Sequence, residues 1–334
     1  MPGVGGLNRF GMPIVHDSVS CASAGNCAAV GSYRDGASRS QVFVVSETNG
    51  TWGTAIKMPF SGILNWAGSA DAGPVSCGAA GNCAAVGSYH ARGPQSTQAF
   101  VVTLANGTWH TAIQVPGSQA LNAGLDARTD SVSCTSAGNC TAAGFYLDGV
   151  GSPSGRQQVF VVRETNGTWG QAIKIPGPGL FDAGQGAGVT SVSCASAGNC
   201  AAGGTYEDAA LAQQAFVVNE TNGTWGNPIE VPGSGALNGE RLAIVGSVSC
   251  PSAGNCTAGG FYGDAPRPSH EQPFVVSQTN GTWGNAIEVP GSGTLNAGDV
   301  TVISVSCRSA GKCAAGGTYH DASGHTQAFV VSQS

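Results

Sequence analysis

Short runs of alternating apolar and small residues, separated by polar turn clusters, recur six times along the chain. The first unit predicts four strands, at Ser18–Cys21, Cys27–Tyr33, Gln41–Ser46 and Trp52–Lys57. Between the third and fourth strands stands Asn49-Gly50, a pair typical of a two-residue hairpin turn in which both central residues need positive φ. Each unit therefore predicts four antiparallel strands joined by short turns.

The repeat has a nearly fixed period. The first cysteines of the six units stand at 21, 77, 134, 194, 250 and 307. A period of this length indicates a stacked or circular repeat. A helical solenoid would need a helical period, and a β-helix would have shorter coils without Asn-Gly hairpins. The pattern predicts an all-β, six-bladed β-propeller with four-stranded antiparallel blades.

We expect residues 1–334 to form one domain, because no composition shift or linker interrupts the period. The repeat units are about 12–59, 70–116, 128–176, 188–232, 244–290 and 301–334. Asn-Gly-Thr-Trp occurs at 49–52, 106–109, 166–169, 222–225 and 280–283 and has no sixth copy. Met1-Pro2-Gly3 matches Val231-Pro232-Gly233, which follows a fourth strand. The last blade is therefore expected to have three strands.

All twelve cysteines fall in Cys-x5-Cys pairs, which favours one hairpin disulfide per blade: Cys21–Cys27, Cys77–Cys83, Cys134–Cys140, Cys194–Cys200, Cys250–Cys256 and Cys307–Cys313. Zinc is the competing interpretation, but zinc pairs have closer spacing and two pairs must meet at one ion. Redox activity would need an exposed thiol of low pKa, and six equivalent pairs do not favour it. Disulfides predict a secreted, extracellular protein, and the absence of a signal peptide suggests a removed leader or a longer parent chain.

Charge and composition exclude several partners. The formal net charge is −6, and the 13 Lys and Arg residues are scattered, so a nucleic-acid partner is not expected. No apolar run is long enough to span a membrane. We expect no cofactor and no metal, and a monomeric chain.

The motifs resemble those of a known repeat family. Ser-Cys-x-Ser-x-Gly-x-Cys, then Phe-Val-Val, then Asn-Gly-Thr-Trp is similar to secreted bacterial propeller repeats of the BNR/Asp-box-like (Ycf48-like) kind, over all six units. Ser46–Trp52 is shorter than an Asp-box and lacks its aspartate. The resemblance implies the propeller fold and a bacterial source, and its members range from sialidases to lectins and adhesion modules. It leaves the function open.

The longer loops, between the second and third strands and between blades, are the expected binding face. A tyrosine closes every second strand, and an aspartate follows it by two residues in five blades. The candidate ligand-binding residues are Tyr33, Asp35, Tyr146, Asp148, Tyr206, Asp208, Tyr262, Asp264, Tyr319 and Asp321. Tyrosine stacking on a sugar, with aspartate bonding to hydroxyls, suits a glycan. The alternative is structural: tyrosine packs between blades, while aspartate and the glutamines that start the third strands hold the loop.

Tryptophans and repeat-breaking residues are the remaining candidates. Trp66 lies in a blade-to-blade loop without a repeat partner and is a candidate ligand contact. The Trp of each Asn-Gly-Thr-Trp motif is interpreted as structural packing, with sugar stacking as the alternative. His16-Asp17 is a weak catalytic candidate, and no arginine cluster of the sialidase kind can be assembled, so no catalytic residue is assigned.

Three functions follow. The first is a secreted, non-catalytic module that binds glycans or another extracellular surface through several weak sites. The second is a structural or protein-interaction propeller without a small ligand. The third is a glycan hydrolase or lyase with its site at the axial channel. Enzymatic activity is left uncertain, with the repetition arguing against it, since catalysis needs different groups converging at one point.

Overall fold

The computed structural model describes residues 2–7, 15–60, 68–91, 96–149, 155–177, 180–181, 186–239, 241–264, 271–295 and 303–333. The regular structure of the described chain is mostly β-strand, in six separate antiparallel sheets. It divides into two compact units, Met1–Lys174 and Ile175–Ser334, with three sheets in each.

The first unit contains sheets 1 to 3 and two helices of one turn, α1 (Val4–Leu7) and α2 (Ser118–Leu121). Sheet 1 consists of β1 (Val15–Ser23), β2 (Asn26–Arg34), β3 (Ser40–Thr48), β4 (Thr51–Trp52) and β5 (Ile56–Lys57). Sheet 2 consists of β6 (Ala70–Ala79), β7 (Asn82–His90), β8 (Thr97–Ala105), β9 (Thr108–Trp109) and β10 (Ile113–Gln114). Sheet 3 consists of β11 (Ala127–Ser136), β12 (Asn139–Leu147), β13 (Gln157–Thr165), β14 (Thr168–Trp169) and β15 (Ile173–Lys174).

The second unit contains sheets 4 to 6 and the one-turn helices α3 (Ser234–Leu237) and α4 (Ser292–Leu295). Sheet 4 consists of β16 (Ala187–Ser196), β17 (Asn199–Glu207), β18 (Gln213–Thr221), β19 (Thr224–Trp225) and β20 (Ile229–Glu230). Sheet 5 consists of β21 (Ala243–Ser252), β22 (Asn255–Gly263), β23 (Glu271–Thr279), β24 (Thr282–Trp283) and β25 (Ile287–Glu288). Sheet 6 consists of β26 (Ile303–Ser309), β27 (Lys312–His320) and β28 (Thr326–Ser332). The prediction of a three-stranded last sheet is confirmed.

The fourth strand of each complete sheet is formed by two short segments that both pair with the third strand. In sheet 1, Trp52 lies opposite Glu47 and Ile56 lies opposite Val44. Four steps along the fourth strand thus match three along the third, and the extra residue forms a bulge that interrupts the ladder. The sequence pattern predicts one continuous strand here, because a single inserted residue leaves no signal in the alternation.

The Asn-Gly turns have the predicted backbone. Asn49 has φ 49° and Gly50 has φ 78°, both in the left-handed region that a type I′ turn requires. The corresponding asparagines with positive φ are Asn106, Asn166, Asn222 and Asn280. The predicted hairpins between third and fourth strands therefore form as the sequence indicates.

The core lies between neighbouring sheets of each unit. The phenylalanine of every complete third strand is 0–1 % exposed, at Phe43, Phe100, Phe160, Phe216 and Phe274. In sheet 2 Phe100 packs in one cluster with Val42 and Val44 of sheet 1, while Val101 faces a second cluster shared with sheet 3. Because successive side chains of a strand point to opposite faces, the Phe-Val-Val run serves both neighbours of its sheet.

Serine hydroxyls connect the first strands of neighbouring sheets. Ser18 Oγ accepts a hydrogen bond from the backbone N–H of Val75 at 3.1 Å, and Ser20 Oγ accepts one from Cys77 at 3.0 Å. The same bond recurs from Cys134 to Ser76, from Val248 to Ser191, from Cys250 to Ser193, from Val305 to Ser247 and from Cys307 to Ser249. The Ser-x-Ser pattern therefore supplies acceptors for main-chain donors that have no strand partner on that side.

Six disulfides join the first and second strands, one in each sheet. They are the predicted pairs, Cys21–Cys27, Cys77–Cys83, Cys134–Cys140, Cys194–Cys200, Cys250–Cys256 and Cys307–Cys313. No cysteine is free. The disulfides leave no thiol for redox chemistry and no thiolate to bind zinc. The disulfides are consistent with an extracellular protein. Among the described residues, no helix has the length and apolarity needed to cross a membrane.

Candidate functional site

One end of each complete sheet is closed by two turns that bond to each other. The N–H of Gly50, in the Asn-Gly turn, donates to the carbonyl of Gly25, in the disulfide turn, at 2.9 Å. A Cβ at Gly25 would lie 2.6 Å from the Gly50 nitrogen, so a larger residue would separate the turns. The same bond joins Gly107 to Gly81, Gly167 to Gly138, Gly223 to Gly198 and Gly281 to Gly254. We call this end the turn end.

The opposite end carries the loops between second and third strands and the connections between sheets, and we call it the loop end. In sheet 1 the carboxylate of Asp35 organises the loop: its Oδ1 accepts the backbone N–H of Ala37 at 2.8 Å and of Arg39 at 3.1 Å. Asp208 holds Ala210 and Ala212 in the same way, Asp321 holds Ser323 and His325, and Asp148 holds Arg156. Four predicted site aspartates therefore occupy equivalent positions at the loop end.

The second carboxylate oxygen of these aspartates lies beside a side-chain donor. Oδ2 of Asp35 is 3.0 Å from Nη2 of Arg39, and Oδ2 of Asp148 is 3.2 Å from Nη2 of Arg156. Gln214 and Gln327 donate from Nε2 to Oδ2 of Asp208 and Asp321, both at 3.1 Å. The Asp35, Asp148 and Asp321 side chains are 18 %, 14 % and 28 % exposed, so the carboxylates are within reach of a ligand.

Backbone donors keep the loop carboxylates ionised. The pKa of Asp208 is lowered because the Ala212 N–H and then the Gln214 amide donate to its charged form. The pKa of Asp321 is lowered by the equivalent backbone N–H and glutamine donors. At Asp35 burial raises the pKa, but backbone and guanidinium donors outweigh this effect and the net pKa is lowered. All three groups are therefore anionic at neutral and mildly acidic pH.

The arginine and histidine beside the loop aspartates are not among the site residues predicted from the sequence. Arg39 and His325 each follow their aspartate by four residues, and that spacing is the signal that could have indicated them. The His325 Nδ1 lies 3.7 Å from Oδ1 of Asp321. Arg156 stands eight residues after Asp148 in a longer loop, and only the folded structure brings the two together. In sheet 4 Arg241 comes from the following connection and donates to the carbonyl of Ala210.

The tyrosines of the candidate site are placed differently from the expectation. Tyr33, Tyr146, Tyr206 and Tyr262 are 3–5 % exposed, and Tyr319 is half-buried. The hydroxyl of Tyr206 donates to Oε2 of Glu230 at 3.0 Å, and that of Tyr262 donates to Glu288 at 3.2 Å. Rings buried to this extent offer no open face on which a sugar can stack. Tyr33, Tyr146 and Tyr262 each pack in a hydrophobic cluster with the phenylalanine of their own third strand, and Tyr206 packs against Phe181. This packing agrees with the structural alternative.

Burial also raises the pKa of the tyrosine hydroxyls. The pKa of Tyr89, the equivalent residue of sheet 2, is raised to about 12 by burial. Burial first and the Glu230 carboxylate second raise the pKa of Tyr206, and burial with Glu288 does the same for Tyr262. These hydroxyls therefore remain neutral hydrogen-bond donors throughout the physiological range.

Two further candidates are only partly described. Asp264 is exposed at the end of β22, and its loop continues into residues 265–270, outside the described residues. Trp66 lies in residues 61–67, also outside the described residues, so its role as a ligand contact stays a prediction.

The repeated tryptophans are structural where the structure shows their bonds. Nε1 of Trp109 donates to Ser46 Oγ at 3.0 Å, that of Trp169 to Thr103 Oγ1 at 3.1 Å, and that of Trp283 to Asn219 Oδ1 at 3.0 Å. Each acceptor belongs to the preceding sheet. Trp169, Trp225 and Trp283 are 6–9 % exposed, which agrees with packing and leaves no stacking surface.

The charged residues Asp126, Arg128 and Asp130 depart from the repeat. An arginine beside carboxyl groups resembles the acid–base groups of an active site. Arg128 Nε lies 3.1 Å from Oδ1 of Asp126, and Asp130 occupies the bulge where the β11–β12 register shifts between Thr129 and Ser131. Burial raises the pKa of Asp130 to about 7, with Arg128 opposing the shift and Asp126 adding to it. The side chains of His16 and Asp17 lie outside the described part of β1. Within the described residues, no three His, Cys, Asp or Glu side chains are arranged to hold a metal ion.

Comparison with known proteins identifies the fold. No protein-family model matches the chain, and no curated protein matches it. A protein of unknown function from Dyadobacter fermentans has a similar structure, with TM-score 0.51 and 12 % identity over 98 % of this chain and 95 % of that one. The β-propeller domain of the Trilobed protease from Pyrococcus furiosus has TM-score 0.50 and 8 % identity, over 94 % of this chain and 81 % of that one. A six-bladed β-propeller fungal lectin from Aleuria aurantia has TM-score 0.46 and 9 % identity, over 94 % and 91 %.

At these identities the similarity concerns the fold alone. The six antiparallel sheets, their hairpin disulfides and the similarity to the β-propeller domain of the Trilobed protease assign the chain to the six-bladed β-propellers, with a three-stranded last blade. The prediction of fold class is confirmed. Sheets 1 to 6 are accordingly blades 1 to 6.

Proposed function

We propose that the chain is a non-catalytic, extracellular module that binds glycans at the loop end of its blades. The observation that carries this proposal is the loop aspartate of blades 1, 3, 4 and 6. One carboxylate oxygen of each, in Asp35, Asp148, Asp208 and Asp321, is held by backbone N–H groups. The other oxygen lies in a partly exposed loop beside a nitrogen donor.

This arrangement suits sugar hydroxyls. A carboxylate accepts hydrogen bonds from hydroxyl groups, and an adjacent guanidinium donates to them, so a pair such as Asp35 and Arg39 can bind two neighbouring hydroxyls at once. The bonds from Ala37 and Arg39 already order the loop, so little conformational entropy is lost when a ligand binds. We therefore assign ligand contact to the aspartates and the nitrogen donors beside them, and a supporting role to the buried tyrosines.

An exposed leucine adds an apolar contact beside one of these aspartates. Leu211 is 62 % exposed and has φ 59° in the loop that Asp208 organises. Ser38 and Gly324 hold the same left-handed position after Asp35 and Asp321, so the leucine puts an apolar side chain where the equivalent loops have none. Its side chain is suited to the C–H face of a sugar whose hydroxyls reach Asp208.

Charge favours neutral glycans over acidic ones. The formal net charge is −6, and each proposed contact contributes a carboxylate. Uronic or sialic acids would be repelled by these groups, whereas neutral hexoses would not. Because single loops of this kind bind weakly, affinity would come from several blades engaging one polysaccharide.

The test is an array of neutral and acidic polysaccharides probed with the oxidised protein. We expect saturable binding to a neutral glycan, reduced by about tenfold or more when Asp35, Asp148, Asp208 and Asp321 are changed to asparagine. Asparagine keeps one acceptor oxygen for the backbone N–H groups and removes the charge. The matched control is Glu47→Gln at the turn end, which removes one carboxylate and should leave binding unchanged.

Three results would overturn the proposal. A blank on the neutral glycans, with a correctly folded protein, would favour the protein-interaction propeller instead. Equal binding by the four-aspartate variant would show that the loop carboxylates are not the contacts. Glycan turnover, abolished by Asp130→Asn, would favour the hydrolase alternative.

A further inference from the structure

Six Asn-Gly pairs occur in the chain, and this dipeptide is the one most prone to spontaneous loss of the asparagine amide. The backbone nitrogen of the glycine attacks the side-chain carbon of the asparagine, a C–N bond forms, and ammonia leaves with the proton of that nitrogen. Water then opens the resulting succinimide ring at either carbonyl carbon, which gives aspartate or isoaspartate. The six asparagines are Asn49, Asn106, Asn166, Asn222, Asn238 and Asn280.

All of these pairs except Asn238-Gly239 form the tips of the turn end, and their asparagines are exposed. A Cβ placed on Gly50 would meet no atom within 4 Å, so this turn projects into open space. The same is true at Gly107, Gly167 and Gly281. Water and base therefore reach the turn-end asparagines, and access does not limit the reaction.

The attacking nitrogen of each exposed pair is engaged in a hydrogen bond. The Gly50 N–H donates to the Gly25 carbonyl at 2.9 Å, and the four equivalent bonds measure 2.8–2.9 Å. The nitrogen attacks only after it has lost its proton, and the bond holds the proton in place. Ring closure also requires the nitrogen to turn toward the side chain of Asn49, which breaks its bond to the disulfide turn.

A second bond fixes the asparagine itself. Asn26 Oδ1 accepts the backbone N–H of Asn49 at 3.4 Å, while Asn26 Nδ2 donates to the Ala24 carbonyl inside the disulfide turn at 3.2 Å. The bonds equivalent to the first measure 3.2–3.3 Å in the other four complete blades. Both residues of the reactive pair are therefore tied to the disulfide turn, so the reaction requires the two turns to separate.

The sixth pair is held in a different way. Asn238 Nδ2 donates to the Gln213 carbonyl and to Gln214 Oε1, and Asn238 Oδ1 accepts the N–H of Leu242. Both polar atoms of the amide that the reaction would consume are thus bonded. Because Asn238 lies at the loop end, it provides an internal reference that changes at the turn end do not affect.

We propose that the five turn-end asparagines are latent modification sites, which the bond between the two turns keeps unreactive in the folded chain. Opening of the turns, by reduction of the disulfide or by local unfolding, allows the reaction. This inference is independent of glycan binding, since it involves the turn end and no loop aspartate.

The product changes the turn permanently. Isoaspartate has one additional atom in the main chain, so the modified pair no longer fits a two-residue type I′ turn. Aspartate and isoaspartate both add a negative charge beside the disulfide turn. A blade that has opened for long enough to react therefore does not regain its original turn end.

The first test compares the folded, oxidised chain with the same chain reduced and denatured, both kept in one mildly alkaline buffer. Mass spectrometry of peptides measures the deamidated fraction at each asparagine over time. We expect the turn-end sites to react more slowly in the folded chain by about tenfold or more, because only the opened turn reacts. Isoaspartate beside aspartate identifies the succinimide route, since direct hydrolysis gives aspartate alone. Equal rates in the two samples would overturn the proposal.

A single substitution should open one blade. A Cβ at Gly25 would lie 2.6 Å from the Gly50 nitrogen, so Gly25→Ala forces the turns of blade 1 apart. We expect deamidation of Asn49 to become about tenfold faster, with the other four turns unchanged. The matched control is Gly53→Ala, whose Cβ would lie 3.4 Å from the Ser46 carbonyl and does not disturb the bond between the turns.

Gly138→Ala repeats the test in blade 3 and serves as the second variant if Gly25→Ala does not fold. Its Cβ would lie 2.6 Å from the Gly167 nitrogen, so the site that reacts faster should now be Asn166. An unchanged rate at the asparagine of the altered blade would overturn the proposal. Equal acceleration at all five turn-end sites would do the same, because it would show that global unfolding and not the bond between the turns sets the rate.

Discussion

The hydroxyl of Ser193 accepts a hydrogen bond from the backbone N–H of Cys250 at 3.0 Å, so a side chain of blade 4 satisfies the main chain of blade 5. Cys250 is 8 % exposed, and no strand lies on that side to take its N–H. Serine recurs before each cysteine pair because the neighbouring blade needs an acceptor at that place.

We expect Ser193→Ala to lower the free energy of unfolding by about 1–2 kcal/mol, since it leaves the Cys250 N–H buried without an acceptor. Denaturant unfolding of the oxidised protein measures this loss. Ser323→Ala, at an exposed loop position whose backbone alone is bonded, is the control and should change stability by less than about 0.5 kcal/mol. Equal effects of the two substitutions would show that the inter-blade bond contributes nothing.

A second network joins three residues across blades 2 and 3. Thr103 Oγ1 accepts the indole N–H of Trp169 and donates to Oε1 of Glu164 at 2.6 Å. Glu164 is 1 % exposed, and burial raises its pKa while the Thr103 bond opposes the rise. One hydroxyl therefore accepts from a buried donor and donates to one oxygen of a buried acid.

Thr103→Val keeps the shape of the side chain and removes the hydroxyl. We expect a loss of about 2–3 kcal/mol in unfolding free energy. The pKa of Glu164 should rise further, because its ionised carboxylate loses the hydrogen bond from Thr103. Unfolding and an NMR titration of the Glu164 carboxyl measure the two effects. The exposed Thr108 provides the matched control, Thr108→Val, and a similar loss there would contradict the network.

The carboxyl of Asp130 makes stability depend on pH. Burial raises its folded pKa to about 7, above the ordinary value of 3.8. Between these values the unfolded chain releases the proton while the folded chain keeps it, so stability falls as pH rises through this window. The slope is at most about 1.4 kcal/mol per pH unit, and the loss is complete above the folded pKa.

Asp130→Asn removes this titration. The unfolding free energy of the variant, compared with that of the native chain at the same pH, should therefore increase from pH 4 to pH 7 and then level off. Thermal or denaturant unfolding across that range measures it. Asp208→Asn is the matched control of opposite sign, because the folded pKa of Asp208 is lowered and its ionised form stabilises the fold at higher pH. A gain from Asp130→Asn that does not vary with pH would contradict the raised pKa.

The sequence was sufficient for the repeating parts of the fold. The alternation in Gln41–Ser46, the Asn49-Gly50 turn and the paired cysteines are local signals, and the structure has a strand, a left-handed turn and a disulfide at these places. The one-turn helix Ser118–Leu121 was not predicted, because four residues are too few to show a helical period.

The candidate site was less accessible to sequence reasoning, for a physical reason. Tyr206 and Asp208 are two residues apart, yet the first is buried and the second shapes an exposed loop. Which of two neighbouring polar residues faces solvent depends on the packing of the adjacent blade, and a single repeat does not contain that information. The pairing of Asp148 with Arg156 likewise depends on the path of the loop between them.

The bond between the Gly50 N–H and the Gly25 carbonyl has a consequence for resistance to proteases. A protease must draw several residues of extended chain into its cleft, and two short turns fastened to each other beside a disulfide cannot supply them. Cleavage should therefore be confined to the opposite end, at bonds such as the one after the exposed Arg34. A chain cut there would stay joined within its blade by the hydrogen-bonded ladder between β2 and β3, so nicked molecules would keep their fold and accumulate instead of being degraded.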